Sequence, residues 1–156
     1  MNTTRHILAT LMVALGLHAA AQNEVQSQPL KASAYGIIQV PAAISERSNL
    51  PVRFTVVNEG RGILNATYSG CFVTYEVRSA SGKLVAKSSA TACLKASGGF
   101  SVLNQADYPF LEGFVVNTQN LRKGEYLVSV SLKVDGQIGT RPVKSIQTTP
   151  VKFAVR

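Results

Sequence analysis

Apolar and polar residues alternate with a period of two over much of the chain after residue 33. The clearest run is Glu125 to Val134, where every second residue from Tyr126 onward is apolar and the others are mostly polar. Shorter runs centred on Phe54 and Phe153 repeat the pattern. A period of two places one face of a strand on a core and the other in water. These three segments are therefore predicted to be β-strands.

The remaining apolar runs complete an all-β prediction. No window of 11 or more residues after the N-terminal segment carries a helical stripe. Turn residues recur between short apolar runs, as they do in sandwiches and barrels. The sequence predicts an Ig-like antiparallel β-sandwich of about 7–9 strands, with a closed barrel as the alternative. The further strands are expected at Tyr35–Val40, Ile63–Tyr68, Cys71–Arg78, Lys83–Ser88, Phe100–Leu103 and Phe110–Asn117.

A hairpin is expected where Ser79-Ala80-Ser81-Gly82 separates two of these strands. Gly82 is the residue that adopts a positive φ most easily in such a turn. Pairing Arg78 with Lys83 would place Val77 opposite Leu84 and Tyr75 opposite Ala86, so that apolar residues meet on one face. The same register would place Cys71 opposite Ala90, three positions before Cys93.

The N-terminus has the pattern of a secretory signal. Arg5 and His6 precede an apolar run from Ile7 to Leu17, and the small residues Ala19-Ala20-Ala21 follow it. The run is too short to span a bilayer, which needs about 20 apolar residues, so a membrane anchor is the weaker alternative. We expect cleavage after Ala21 and a secreted, periplasmic or cell-envelope location. The expected organisation is a signal peptide over 1–21, a flexible polar lead-in over 22–33 and one β-sandwich domain over 34–156. No membrane span is expected in the mature chain.

Removal of this segment would change the composition of the 156-residue chain. Both His residues and both Met residues lie within it, and the formal net charge of +8 would fall by one because only Arg5 is lost. Without His, Ser-His-Asp catalysis, Cys-His catalysis and imidazole metal sites are excluded. We therefore expect no catalytic residues, no metal site, no cofactor and no enzymatic activity.

The basic excess does not by itself predict a nucleic-acid partner. Lys and Arg residues are dispersed, and the longest contiguous run is Arg122-Lys123. A reader of single strands would combine a basic groove with stacked aromatic residues, and no spacing of the aromatic residues indicates one. A diffusely cationic surface without nucleic-acid binding is the favoured interpretation.

Cys71 and Cys93 are expected to form a disulfide. An exported chain meets an oxidising environment, and a pair is the smallest set that can form a bridge. The chain-entropy model gives about 3 kcal/mol of stability for closing a loop of this size. Two free thiols in redox or metal chemistry are the weaker alternative, because neither belongs to a C-x-x-C pair.

The carboxylates give one weak catalytic candidate. A glycosidase needs two carboxyl groups across a cleft, and most acidic residues here lie at turns or at outward strand positions. Glu112 is the exception, because it shares strand parity with Phe110, Phe114 and Val116. A minor hydrolase centred on Glu112 therefore stays open as a third possibility.

The segment from Ala90 to Gly99 is the candidate interaction loop. It is small, ends in glycines and is tethered at Cys93, with Leu94 and Lys95 beside the expected bridge. A loop held by a disulfide can present a rigid, substrate-like segment to a protease, as preorganisation raises affinity. The alternative is an ordinary loop that crosses between the two sheets.

A local motif precedes the clearest strand. Leu121, Gly124 and Tyr126 form an L-x-x-G-x-Y sequence that resembles the approach to a tyrosine corner. In that motif the Tyr hydroxyl bonds back to upstream backbone, so Tyr126 is expected to find a partner near Leu121. The motif points to the fold and carries no information on activity.

The order of these motifs resembles a known family. The segments Phe54-x-Val56-x-Asn58, Ser69-Gly70-Cys71-x-Val73-x-Tyr75-x-Val77, Ser81-Gly82-Lys83-Leu84-Val85 and Leu121-x-x-Gly124-x-Tyr126 follow one another between residues 52 and 132. This arrangement resembles the Ig-like domains related to the BsuPI intracellular proteinase inhibitor family. The resemblance implies an Ig-like fold and proteinase inhibition, with Leu94 and Lys95 as the residues first suspected. The Cys pair and the export signal fit an extracytoplasmic relative.

Taken together, the sequence predicts an exported, non-catalytic β-sandwich that acts in binding or in envelope or extracellular structure. Its expected partner is a protein, either a protease or an envelope component, reached through strand addition or a sheet face. Proteinase inhibition of the BsuPI type is the more specific alternative.

Overall fold

The computed structural model describes residues 23–89 and 93–156. The predicted signal segment 1–21 and Ala90 lie outside these ranges. The described residues contain twelve strands and no helix. The strands are β1 (Glu24–Gln26), β2 (Ala34–Pro41), β3 (Ala43–Ile44), β4 (Leu50–Asn58), β5 (Leu64–Tyr68), β6 (Val73–Ser79), β7 (Leu84–Lys87), β8 (Gly98–Val102), β9 (Ala106–Val116), β10 (Gly124–Ile138), β11 (Arg141–Gln147) and β12 (Val151–Val155).

The strands form two sheets. The first has the order β1-β2-β4-β9, and all its pairs are antiparallel. The second is built on β10, whose first half lies between β12 and β6 and whose second half lies between β11 and β5. β7 pairs with β6, and β8 pairs with β5. β3 pairs with β12 in the one parallel pair of the described strands. The predicted all-β sandwich is confirmed.

The alternation of apolar residues explains where the core lies. Val128, Val130 and Leu132 on β10 are buried, while their neighbours on the strand are more exposed. Phe54 on β4 and Phe153 on β12 are buried in the same way, so residues of both sheets meet in one core. Burial of these side chains stabilises the fold by about 1.5–3 kcal/mol each.

Three strands were not predicted. Glu24–Gln26 lie in the segment expected to be a flexible lead-in, yet they pair with β2. β3 has only two residues, and β11 begins with Arg141-Pro142. β10 also continues beyond Val134 through Asp135-Gly136, a dipeptide typical of turns. A Cβ at Gly136 would approach the carbonyl oxygen of Asn65 to 2.7 Å, so glycine here permits the close approach of β5.

The predicted register of the β6–β7 hairpin is wrong. Arg78 lies opposite Leu84 instead of Lys83, and Val77 lies opposite Ala86 instead of Leu84. The Ser79 amide donates to the Lys83 carbonyl at 2.8 Å, which makes the loop three residues long instead of four. An irregularity after this turn adds one more residue to β7. The three-residue loop places Leu84 opposite the exposed Arg78, and Val85 is the extra residue, so both are exposed although the predicted pairing placed Leu84 on the apolar face.

The disulfide between Cys71 and Cys93 is confirmed, with the two Cα atoms 5.5 Å apart. The register that leads to it differs from the prediction. Cys71 pairs through its backbone with Lys95, and the Ala96 amide donates to the Gly70 carbonyl at 3.3 Å. The segment after Cys93 is therefore held against the start of β6 by backbone contacts as well as by the bridge.

The sequence predicts no membrane span in the mature chain. Within residues 23–89 and 93–156, no helix is long and apolar enough to cross a membrane.

Candidate functional site

A cleft lies where β7 and β9 approach each other. β7 pairs only with β6, and β9 pairs only with β4, so each strand has an edge without a strand partner among the described elements. The two strands belong to different sheets, and Lys87 of β7 and residues 111–115 of β9 line a cleft of about 630 Å³. We call this feature the β7–β9 cleft.

The floor of the β7–β9 cleft is apolar and joins the two sheets. Val73 on β6 is buried, and Tyr75 on the same strand packs against Phe114 on β9. Their ring centroids are 6.3 Å apart, with the ring planes inclined by 62°. Such an edge-to-face contact is a favourable aromatic geometry. The floor is therefore a fixed part of the core that is open to solvent on one side.

Two irregularities in β9 shape the wall of the cleft. Glu112 and Gly113 together lie opposite Arg53 of β4, and Phe110 is a second extra residue between the partners of Phe54 and Thr55. Gly113 has a φ of +81°, a conformation that glycine adopts without strain. These bulges break the strict alternation along β9. Glu112 is consequently exposed at the cleft, although its parity with Phe114 suggested an inward position.

The disulfide segment forms one end of the cleft. Cys93 and Leu94 line it together with Ser89, so the bridge fixes part of its wall. Leu94 is 40% exposed, and the neighbouring Lys95 is also exposed. Of the two predicted loop residues, Leu94 faces the cleft and Lys95 does not belong to its lining. Lys95 is instead the backbone partner of Cys71.

A smaller cleft of about 260 Å³ adjoins the β7–β9 cleft on the side away from the disulfide segment. The two share Tyr75, Lys87 and Asn117, and the smaller one adds Val85 and Leu121. Val85 is 40% exposed and Val115, in the larger cleft, is 50% exposed. Together with Leu94, these side chains form an apolar rim along the two clefts.

The charges at the cleft are one cation and one anion. Lys87 and Glu112 line it, and neither forms an ion pair within the described part of the chain. Glu76 lies opposite Lys87 in the strand register but binds Arg78 at 2.7 Å instead. The cleft can therefore offer both charges to a ligand without breaking an existing pair.

Glu112 has no second carboxylate near it in the described lining of the cleft. Glycoside hydrolysis by the common mechanism requires two. Among residues 23–89 and 93–156, no group of three or more His, Cys, Asp or Glu side chains is placed to hold a metal ion.

The L-x-x-G-x-Y motif lies away from the larger cleft. The Tyr126 hydroxyl donates to the Arg122 carbonyl at 2.8 Å, and Tyr126 packs against Phe153 with the ring centroids 5.8 Å apart. Gly124 begins β10, and Leu121 packs partly against the core while it lines the smaller cleft. The hydrogen bond from Tyr126 to Arg122 anchors the loop that leads into β10.

Most aromatic residues are used in packing. Five rings form a cluster beside β5, β8 and β9. The ring centroids of Tyr68 and Phe72 are 4.3 Å apart, and those of Phe100 and Phe110 are 4.7 Å apart. Phe72 is buried, and Tyr108 at the edge of this cluster is exposed and stacks on Phe100. The cluster fills the gap between the two sheets beside β8.

Comparison of the chain with models of known protein families finds no match, and comparison with curated proteins finds no significant relative.

The sequence identified part of this site. It singled out Leu94, Cys93 and Glu112 separately, and the structure brings all three to one cleft. It missed Lys87, Phe114 and Val115. Val115 and Lys87 occupy outward strand positions, where an apolar or charged residue is unremarkable in sequence. Only the placement of β7 beside β9, which long-range topology decides, reveals that these residues share a surface.

Proposed function

We propose that the chain is an exported, non-catalytic binding module whose β7–β9 cleft receives a segment of a protein partner. The observation that carries this proposal is the open cleft between two strand edges. It has a fixed aromatic floor, formed by Tyr75 and Phe114, and an apolar rim that includes Leu94 and Val115. Apolar side chains exposed around a concave site are typical of protein-binding surfaces.

The export proposal is supported by the N-terminal pattern and by the disulfide. A bridge between Cys71 and Cys93 is typical of chains that fold in an oxidising compartment. The partner is accordingly sought among secreted or cell-envelope proteins.

A charge placed on the cleft rim tests the binding proposal. Val115→Arg adds a cation to the rim, and Leu103→Arg makes the same change at a residue that is 64% exposed and lines neither cleft. The immobilised wild-type chain is used to capture its partner from an envelope extract. We expect Val115→Arg to weaken binding of this captured envelope partner at least about tenfold, because an apolar contact is replaced by a desolvated charge. Leu103→Arg should bind as the wild type does. Equal binding by all three proteins would contradict the proposal.

Proteinase inhibition is a second candidate, with the resemblance to the BsuPI-type family as one support. A specific observation also favours it: the disulfide and the backbone pairing of Cys71 with Lys95 restrain the exposed Leu94-Lys95 pair. A restrained segment that fits a protease loses little entropy on binding.

Titration against subtilisin-like and trypsin-like proteases tests the inhibitor candidate. Inhibition of the trypsin-like enzyme should be lost in Lys95→Ala and kept in Lys83→Ala, a matched change of an exposed Lys on the hairpin. No inhibition at micromolar concentration, together with rapid cleavage after Lys95, would rule this candidate out.

A further inference from the structure

The strand edges on the two sides of the β7–β9 cleft run in opposite directions. The smaller cleft combines Val85 with Leu121, and the larger one combines Leu94 with Glu112. Lys87 and Asn117 belong to both and so lie between these ends. From the Val85 end to the Leu94 end, residue numbers therefore rise along β7 and fall along β9.

Neither edge is paired across the cleft. Within the described chain, β7 and β9 are not hydrogen-bonded to each other, although each ends a row of paired strands. Unpaired edges present rows of amide and carbonyl groups to an additional strand. An extended chain in this position would cover the apolar rim and join the two sheets. A helix is about 10 Å wide and would leave the backbone groups of both edges unpaired.

We propose that the occupant is an extended peptide segment of the partner, which enters as an added strand antiparallel to β9, with a carboxylate at Lys87 and a cation at Glu112. This inference rests on the proposed binding function and specifies its ligand. β9 sets the direction because it has eleven residues and β7 has only four. Antiparallel pairing is also slightly more stable per residue than parallel pairing.

The bulge in β9 fixes the spacing of the two charges. Lys87 and Asn117 line both clefts, and Glu112 and Gly113 together count as one position opposite Arg53. An added strand antiparallel to β9 therefore places its acidic residue first and its basic residue about four positions later. Residues four apart lie on the same face of a strand, which leaves the alternate positions for apolar side chains on the floor.

Three peptides test this arrangement by fluorescence anisotropy with the purified chain. The matched probe is acetyl-Val-Asp-Val-Thr-Val-Lys-Val-amide with a terminal fluorophore, and the reversed probe exchanges its Asp and Lys. The third probe repeats the matched sequence with N-methyl groups on the backbone, which remove the donors needed for strand pairing. All three have the same side chains and the same net charge.

We expect the matched probe to bind about tenfold more tightly than the reversed one at low salt, and the difference to shrink in 1 M NaCl. The N-methylated probe should lose most of its binding. Lys87→Glu should weaken binding of the matched probe, whose Asp lies at residue 87 of the chain. The variant should prefer a Lys in the probe at that position. Lys133→Glu, the same change at an exposed residue on the outer face of β10, should leave all affinities unchanged.

Several results would overturn the inference. Equal binding of the matched and reversed probes would contradict the placement of a carboxylate at Lys87 and a cation at Glu112. Undiminished binding of the N-methylated probe would exclude strand addition. A dimer of the chain that Val115→Arg dissociates would identify a second copy as the occupant. If no probe binds while Val115→Arg still weakens capture of the envelope partner, the inference fails and the proposed function stands. If Val115→Arg leaves that capture unchanged, the proposed function itself fails.

Discussion

The side-chain amide of Asn58 donates a hydrogen bond of 3.1 Å to the carbonyl of Leu103, 45 residues further along the chain. The same nitrogen lies 2.8 Å from the Gly62 carbonyl and 3.0 Å from the Val102 carbonyl. The Asn58 side-chain oxygen accepts from the Gly60 amide at 3.0 Å. One fully buried side chain thus joins the end of β4 to the end of β8, which belong to different sheets.

Asn58→Ala should therefore destabilise the fold by about 3 kcal/mol, because it leaves several buried backbone groups without partners. Urea unfolding followed by circular dichroism measures the change. Asn104→Ala, at an exposed position close by, is the matched control and should alter stability by less than about 0.5 kcal/mol. A small effect at Asn58 would mean that water replaces the lost contacts.

Tyr35 should make the stability of the fold depend on pH in the alkaline range. Burial, together with the 2.7 Å hydrogen bond that its hydroxyl donates to Glu59, raises the pKa of Tyr35 to about 12. Because the folded state favours the neutral phenol, this contribution is complete below the unfolded-state pKa of 10.0 and is lost as the pH rises towards 12.

The measurement is the free energy of unfolding at pH 9 and at pH 11 for the wild type and for Tyr35→Phe. The wild type should lose more stability between these values than the variant, since Phe has no group to ionise. Lys residues titrate in the same range but contribute equally to both proteins. An identical pH dependence in the two proteins would show that the Tyr35 hydroxyl ionises at its ordinary pKa.

The disulfide should stabilise both the domain and the end of the cleft. Replacing Cys71 and Cys93 together by Ser should lower the free energy of unfolding by about 3 kcal/mol, as the unfolded chain regains the freedom that the bridge removes. Leu94 should also become mobile, because the bridge anchors its neighbour. Hydrogen exchange of the Ala96 amide, which donates to the Gly70 carbonyl, reports the loosening of this segment. Exchange that stays as slow as in the wild type would show that backbone pairing alone holds the segment.

Local patterning was sufficient to predict most of the fold. Nine strands of the structure coincide with predicted segments, and the alternation along β10 gave the buried residues correctly from Val128 to Val134. The Cys71–Cys93 pairing was also predictable, since only two Cys residues are present. These features depend on a few neighbouring residues or on a count, which the sequence displays directly.

The cleft depends on features that the sequence does not display. The shorter turn placed Leu84 on the outer face of β7, the extra residue turned Val85 outward, and the bulges in β9 moved Glu112 to the surface. A single inserted residue reverses every later side chain on a strand, so a strict alternation misplaces them. Lys87 and Asn117, which are far apart in the chain, line the same clefts because two sheets pack together, and this leaves no local signal in the sequence.

Gly113 should be required for the bulge that presents Glu112. Its φ is +81°, and a Cβ built at this position meets no heavy atom within 4 Å, so the cost of a side chain there is conformational and not steric. Gly113→Ala should therefore destabilise the fold by about 1–2 kcal/mol, whereas Gly113→Asn should cost less because Asn tolerates a positive φ. Urea unfolding of the two variants separates these values. If Ala and Asn are equally destabilising, the loss comes from an effect other than backbone strain, and the bulge does not owe its shape to glycine.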